Sequence, residues 1–587
     1  MLSPARASLY CCGLMLALPF VQPYHRFPLT SFYSEWLAFA LGLLAALLLL
    51  RRQSGSLATY PAVALAPLGL ILLLGLQTAL GRVPYPEQAL VATLYLLWAS
   101  LIIALGHRLG QELGLRSVAD TLAWFVLVGG LLNALAGLIQ HYDLTTPVGF
   151  LIARKEAAAV FGNVAQPNHF AAQIAMALAS VAYLYGRGRF GISVAIACVA
   201  MLLLVSAFAG SRSPWLYFTA FAALSMLIRR IRRDDESRRL VTLTILLLPG
   251  FLVAQGVAIL IAPAAGDQVT SMQRVFESAS GVAARVQLWT DAWHMFLAAP
   301  FLGSGWGQFS WHHFLNQAAT GPGAAPQLFN HAHNLALQLL AETGLVGFVI
   351  ISGAAVAWLA GLRKVAIDAD WWWMLALLSV IGIHSMLEYP LWYSIFLGPA
   401  ALLLGLGTQH VLTVRFQGAL RLTVLACILA GSLYLLGVLA PYREFERVVF
   451  SPESSSLARA DERAFMAVIS DVHREPLLTP YVELAIAHGV TVSRDSLPEK
   501  VDVTRRAMHF APVSVVVYRY ALLLALTGDR AAALRQLERA IRVYPGELGE
   551  VLRELRALAR EHPEEITPLL ELATAKSAEF GAPAAHR

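Results

Sequence analysis

The chain has 587 residues, 58% of them hydrophobic and 14% charged, with a mean hydropathy of +0.62. Soluble domains run nearer one-quarter charged, so a water-soluble globule is excluded and lipid is the natural solvent. The formal charge of +6 does not point to nucleic acid, because much of the Lys and Arg sits in short loops between apolar stretches, where it sets membrane orientation.

The first apolar run, Leu9 to Val21, follows Arg6 and is succeeded by Gln22-Pro23-Tyr24-His25 instead of a small-residue cleavage site, so it reads as a retained span over 7–22. Further apolar segments fall at 32–50, 60–80, 88–106, 119–140, 168–185, 190–209, 214–229, 240–262, 334–361, 371–388, 391–409 and 419–440. They predict an all-α integral membrane protein of about 13 transmembrane helices, each near the length one crossing needs. Cys11, Cys12, Cys198 and Cys427 lie in these runs with neither zinc nor disulfide spacing and read as small hydrophobes.

Loop charge orients the spans. Arg51-Arg52 follow the second, His107, Arg108 and Arg116 the fourth, and Arg187 and Arg189 the sixth. The run Arg229–Arg233 follows the eighth, Arg363-Lys364 the tenth and Arg415 the twelfth. All lie on one side, which is expected to be cytoplasmic, with the N-terminus there and the C-terminus outside. The outer side receives the loop 141–167, a long loop 263–333 and the turn at Glu388-Tyr389-Pro390. Residues 1–440 thus form a membrane core and 441–587 an external α-helical domain. Within the latter, Val517–Pro545 matches one helix-turn-helix repeat of the tetratricopeptide kind, which needs neighbouring helices to bury its face.

Four polar runs reach the outer side. Asn330-His331-Ala332-His333-Asn334 stands where the long loop re-enters a span; imidazole suits proton transfer near neutral pH, and ionisable groups at a membrane edge are functional suspects. The spacing of His331 and His333 does not put both on one helical face, which argues against a metal. Arg212, in Gly210-Ser211-Arg212-Ser213, and Arg285, in Ala283-Ala284-Arg285-Val286-Gln287, offer fixed forks of donors to phosphate on the side where positive charge is disfavoured; Arg274 is a weaker third. Asn163, Gln166, Asn168 and His169 crowd the entry to the sixth span, where amides can read sugar hydroxyls, although Asn168 could instead cap the helix. His384, Glu388, Tyr389 and Tyr393 join the eleventh and twelfth spans; the alternative there is an aromatic belt at a Pro turn.

Taken together, the Gly-Asn-x-x-Gln-Pro-Asn-His-Phe run, the Ser-Arg-Ser at a span end, the Arg-x-x-x-Trp opening of the long loop, the Gly303-Ser304-Gly305-Trp306-Gly307 turn and the His-Asn-x-x-Leu-Gln-x-x-x-Glu-x-Gly run resemble the O-antigen ligase/polymerase superfamily over residues 10–440. The Gln-Pro-Asn-His and His-Ser-x-x-Glu-Tyr-Pro-Leu runs look most like bacterial protein O-oligosaccharyltransferases that glycosylate pilins. The resemblance implies a metal-independent, inverting glycosyltransferase of the bacterial inner membrane without cofactors. Its donor would be a glycan on undecaprenyl pyrophosphate, and its acceptor a Ser or Thr hydroxyl of a pilin or other periplasmic protein. It implies His333 as the catalytic base, Arg212 and Arg285 as the pyrophosphate-binding pair, and Gln166 and Tyr389 as residues needed for protein glycosylation. Asn163, Asn168, His169, His331, Asn334 and Glu388 complete the expected substrate contacts. Lipid A core or another glycan repeat as acceptor would make the chain an O-antigen ligase or polymerase using the same site. A secondary transporter is a minor alternative, since transporters place polar groups near the midplane and often carry internal repeats.

Overall fold

The computed structural model describes residues 3–50, 58–155, 159–261, 279–321, 327–414, 417–450 and 469–579. Every predicted apolar segment is helical: α1 Pro4–Val21, α2 Phe32–Leu50, α3 Leu65–Ala79, α4 Pro86–Leu113, α5 Leu115–His141, α6 Pro167–Gly186, α7 Ile192–Phe208, α8 Ser213–Arg232 and α9 Asp235–Leu260 precede the long loop. Within that loop lie α10 Ala279–Ala298 and α11 Phe309–Thr320; α12 Leu335–Gly361, α13 Ala369–Ser385, α14 Ser394–Leu406 and α15 Gln417–Gly437 follow it. Among the described residues, eight helical segments are long and apolar enough to cross a membrane, and Ile192–Phe208 and Ser394–Leu406 are shorter apolar helices. The protein is therefore a multi-pass, all-α membrane protein. Its strand pairing among the described residues is a short antiparallel ladder, Ala58–Pro61 with Val411–Val414.

The chain forms two compact units: residues 1–70, 94–278 and 350–437 in the first, and 71–93, 279–349 and 438–587 in the second. At the centre of the first is α6, buried along almost its whole length and rich in alanine. Small residues let neighbouring backbones approach, which is how helices associate without a hydrophobic driving force; a Cβ on Gly130 of α5 would stand 2.3 Å from the Ala177 methyl. Polar contacts gather at the two ends of this bundle. At one end Arg187 pairs with Asp120, Glu236 and Asp370, and Tyr183 donates to Asp120 and Asp370. At the other, Asn163 donates to Val21, the Val160 N–H meets the Phe208 carbonyl, and Asn168 meets Glu388. Within this unit, the segments around Asp120, Arg187, Glu236 and Asp370 thus meet at one end, and those around Val21, Asn163, Phe208 and Glu388 lie at the other.

In the second unit, α12 is interrupted at Gly344, whose φ of 64° and ψ of −165° break the helix. Carbonyls bared by such a break need partners. Ser304 N–H takes Ala341 O, Gly305 N–H takes Glu342 O, and the Gln77 amide reaches both Leu302 O and Glu342 O. The glycine turn 303–307 exists to make this approach: a Cβ on Gly303, where φ is +70°, would lie 2.2 Å from the Glu342 carbonyl carbon. The rest of the unit includes α16 Leu439–Phe450, α17 Thr479–Gly489, α18 Leu497–Phe510, α19 Ser514–Leu526, α20 Arg530–Val543, α21 Leu548–Glu561 and α22 Pro563–Glu579. Gly528 at φ +87° and the Asp529 cap turn α19 into α20. Phe314 and Ala318 of α11 enter the core that α18 to α22 share, so the long loop and the C-terminal helices build one hydrophobic unit.

Candidate active site

The second unit carries His333. The helix cap explains its surroundings: Asn334 accepts the Leu337 N–H through its side-chain oxygen at 3.1 Å, so α12 begins immediately after the motif. One turn on, Gln338 reaches back and accepts the buried Ala332 N–H at 2.7 Å. Between these two ties, His333 adopts φ +51°, a left-handed conformation that non-glycine residues rarely take and that accumulates at functional sites. Its ring is half-buried, while His331 points into the protein. Burial, and then the neighbouring His333, push the His331 imidazole down to about 3, so it is neutral at physiological pH. His331, an expected substrate contact, is buried.

Arg285 belongs to the same unit. Leu288, one turn along α10, shares a small apolar cluster with Ala332, Ala341 and Phe329, which seats the Arg285 helix beside the His333 loop. Glu342, the acid of the same motif, is buried and accepts the Phe309 N–H at 3.0 Å, holding α11 to α12. Arg274 lies outside the described residues.

The first unit holds the other predicted residues. Pro167 occupies the first turn of α6, a position suited to its missing N–H, and Gln166 rather than Asn168 is the cap, accepting the His169 N–H. Asn168 is thereby released to donate to Glu388 Oε1 at 2.8 Å. His169 is buried, with Nδ1 2.9 Å from His384 Nε2 and its ring against Tyr393 and Phe396. Tyr389 stacks on Tyr393 with centroids 5.9 Å apart, and desolvation raises its phenol above the usual range. His169, an expected substrate contact, thus faces His384, Tyr393 and Phe396. Asn163, another expected substrate contact, is buried as well. Its amide accepts the Ala153 N–H and donates to Val21 O and Leu151 O, so it fastens the loop to the end of α1. Arg212 stands half-buried at the start of α8, just after Gly210 at φ +63°, and His141 stacks on Phe208 with centroids 3.7 Å apart at the preceding helix end.

Sequence reasoning missed Gln338 as the tie that holds the motif loop. It also missed a buried Asp291–His313 pair in the second unit, with Nδ1 2.7 Å from Oδ2. The sole signal for the pair was an acid on the apolar side of α10.

Two family models match the chain: "O-Antigen ligase" over residues 196–352 and "Virulence factor membrane-bound polymerase, C-terminal" over 372–553. A General O-oligosaccharyltransferase of Acinetobacter baylyi is 26% identical over 399 residues, covering 67% of this chain and 68% of the relative. The ComP-specific O-oligosaccharyltransferase of the same organism is 23% identical over 325 residues, covering 55% of this chain and 56% of that protein. Motifs and matches agree: the chain is a relative of the O-antigen ligases and membrane-bound polymerases, and is similar among them to protein O-oligosaccharyltransferases.

Proposed function

We propose that this protein transfers a glycan from undecaprenyl pyrophosphate to a Ser or Thr hydroxyl of a periplasmic protein such as a pilin. The observation that carries the reading is His333, held in a strained left-handed turn by Asn334 and Gln338 and flanked by the Arg285 helix. Strain maintained by several independent ties is what a preorganised catalytic group requires.

In the proposed reaction the His333 imidazole takes the proton of the acceptor hydroxyl as its oxygen attacks the anomeric carbon. The bond to the pyrophosphate oxygen breaks on the opposite face, so the anomeric configuration inverts. Arg285 and Arg212 stabilise the charge growing on the departing pyrophosphate, where planar, permanently charged donors act best. Gln166, Asn168, Glu388 and Tyr389 orient sugar or acceptor, and Asn334 holds the base in register.

We further read the thirteen helical segments as thirteen crossings of the bacterial inner membrane, with the N-terminus cytoplasmic and the C-terminus periplasmic. Residues 1–440 form the membrane glycosyltransferase part, and 441–587 a periplasmic part whose tetratricopeptide-like 517–545 helix pair serves as a scaffold or as a docking surface for a protein acceptor. The names of the two relatives favour a protein acceptor over lipid A core or a growing glycan; those acceptors would use the same His333 and Arg residues.

The test is replacement of His333 by Ala in cells that hold the donor pathway and a candidate acceptor. Intact-mass spectrometry of the acceptor should show the glycan with the wild type and none with H333A, while H333A accumulates in the membrane normally. Full glycosylation by H333A would dismiss the proposal.

A further inference from the structure

Outside the predicted motifs, the second unit buries a carboxylate and an imidazole against each other. His313 Nδ1 donates to Asp291 Oδ2 at 2.7 Å, and Asn316 donates to Asp291 Oδ1 at 3.3 Å. Its Nε2 faces the Gln317 amide nitrogen at 2.9 Å and the Gln327 carbonyl oxygen at 3.3 Å. Both residues are buried. Burying a charge in this way is costly, and α10 and α11 already meet through apolar residues, so packing alone does not call for the pair.

Its neighbours suggest what it does. The His313 ring meets the Phe329 ring edge-on at 5.9 Å, and Phe329 in turn meets the His333 ring edge-on at 5.8 Å. Phe309, whose N–H is held by Glu342, stacks on the His313 ring at 6.0 Å. Asp291 also lies on α10, fewer than two turns beyond Arg285. A chain of contacts therefore runs from the helix that presents Arg285, through Asp291, His313 and Phe329, to the imidazole of His333.

We propose that Asp291 and His313 are positioning residues for His333: they orient Phe329, and Phe329 restricts the rotation of the His333 ring. They take no proton from substrate and touch no reacting atom. This inference rests on the transfer reaction proposed above. A small misplacement of the base lowers turnover by up to about 100-fold while leaving donor binding intact.

The experiment uses the full-length protein purified in detergent, with lipid-linked glycan and acceptor, and compares D291N, H313Q, F329L and the double variant D291N/F329L. In D291N and F329L, kcat should fall by about 10- to 100-fold, with KM for the donor within twofold of wild type. The double variant should be no slower than its slower parent, since both substitutions break the same chain. A D291N enzyme with kcat within twofold of wild type, or D291N and F329L losses that multiply, would overturn the inference. A general loosening of the fold would raise donor KM together with lowering kcat and also counts against it. H333A, run in parallel, separates the readings: an active H333A refutes the transfer mechanism, whereas an inactive H333A beside a fully active D291N refutes only the positioning role.

Discussion

Gln338 offers a direct measure of how far the site depends on a preorganised loop. Its side-chain oxygen accepts the Ala332 N–H at 2.7 Å in a buried setting. Replacement by Leu keeps the bulk and removes the acceptor, leaving a buried N–H unpaired at a cost of about 1–3 kcal/mol. The adjacent His333 already carries a left-handed backbone, worth about 1–2 kcal/mol of local strain, so the loop has every reason to relax once the tie is lost. At about 1.4 kcal/mol per factor of ten, the productive arrangement becomes about 5- to 150-fold rarer. Arg285 sits on a separate helix, so donor binding should change little. The assay is steady-state transfer by the purified Q338L enzyme, with kcat and donor KM fitted separately. A kcat within twofold of wild type, or a loss confined to KM, would refute the argument that this hydrogen bond holds the base in place.

Other outcomes follow from the same geometry. At Gly344 φ is +64° and a Cβ would stand 2.4 Å from the Phe301 carbonyl oxygen; G344A should therefore cost about 2–5 kcal/mol from strain and crowding, seen as a lower unfolding temperature in detergent. Replacing Asn163 by Ala strands the Ala153 N–H and the carbonyls of Val21 and Leu151, so N163A should reduce the yield of folded protein by more than it reduces turnover per folded molecule, measured by size-exclusion chromatography and active-site-normalised rate. His331 gives a pH dependence with a definite sign. Its folded value near 3 lies below its ordinary 6.5, so between these values the unfolded chain binds the extra proton; stability is complete above about pH 6.5 and falls as pH drops below it, at up to about 1.4 kcal/mol per pH unit. Thermal unfolding from pH 8 to pH 5 should show this slope, and H331N should flatten it.

Much of the fold was legible in the residues. Each apolar segment is a helix because lipid demands that backbone groups be satisfied within the segment, a constraint so strong that hydropathy and length suffice to find it. Arg116, Arg187, Glu236 and Asp370 stand at or beside helix ends, and their charges meet at one end of the first unit. His333, Arg212, Arg285, Gln166 and Glu388 could be singled out because polar side chains are scarce in such a sequence and stand out against it.

What the sequence by itself could not decide was which of those polar groups are spent on the framework. Asn163 and Gln166 are both amides in one short run, yet one is consumed by the backbone of α1 and the loop, and the other caps α6. His331 and His333 are separated by one residue, yet a single left-handed turn sends one inward and leaves the other half-exposed. Composition and spacing report which chemical groups are present, but a hydrogen bond is a matter of distance and direction between segments far apart in the chain. Only the folded backbone brings Gln338 to Ala332, Asp291 to His313 and Asn168 to Glu388.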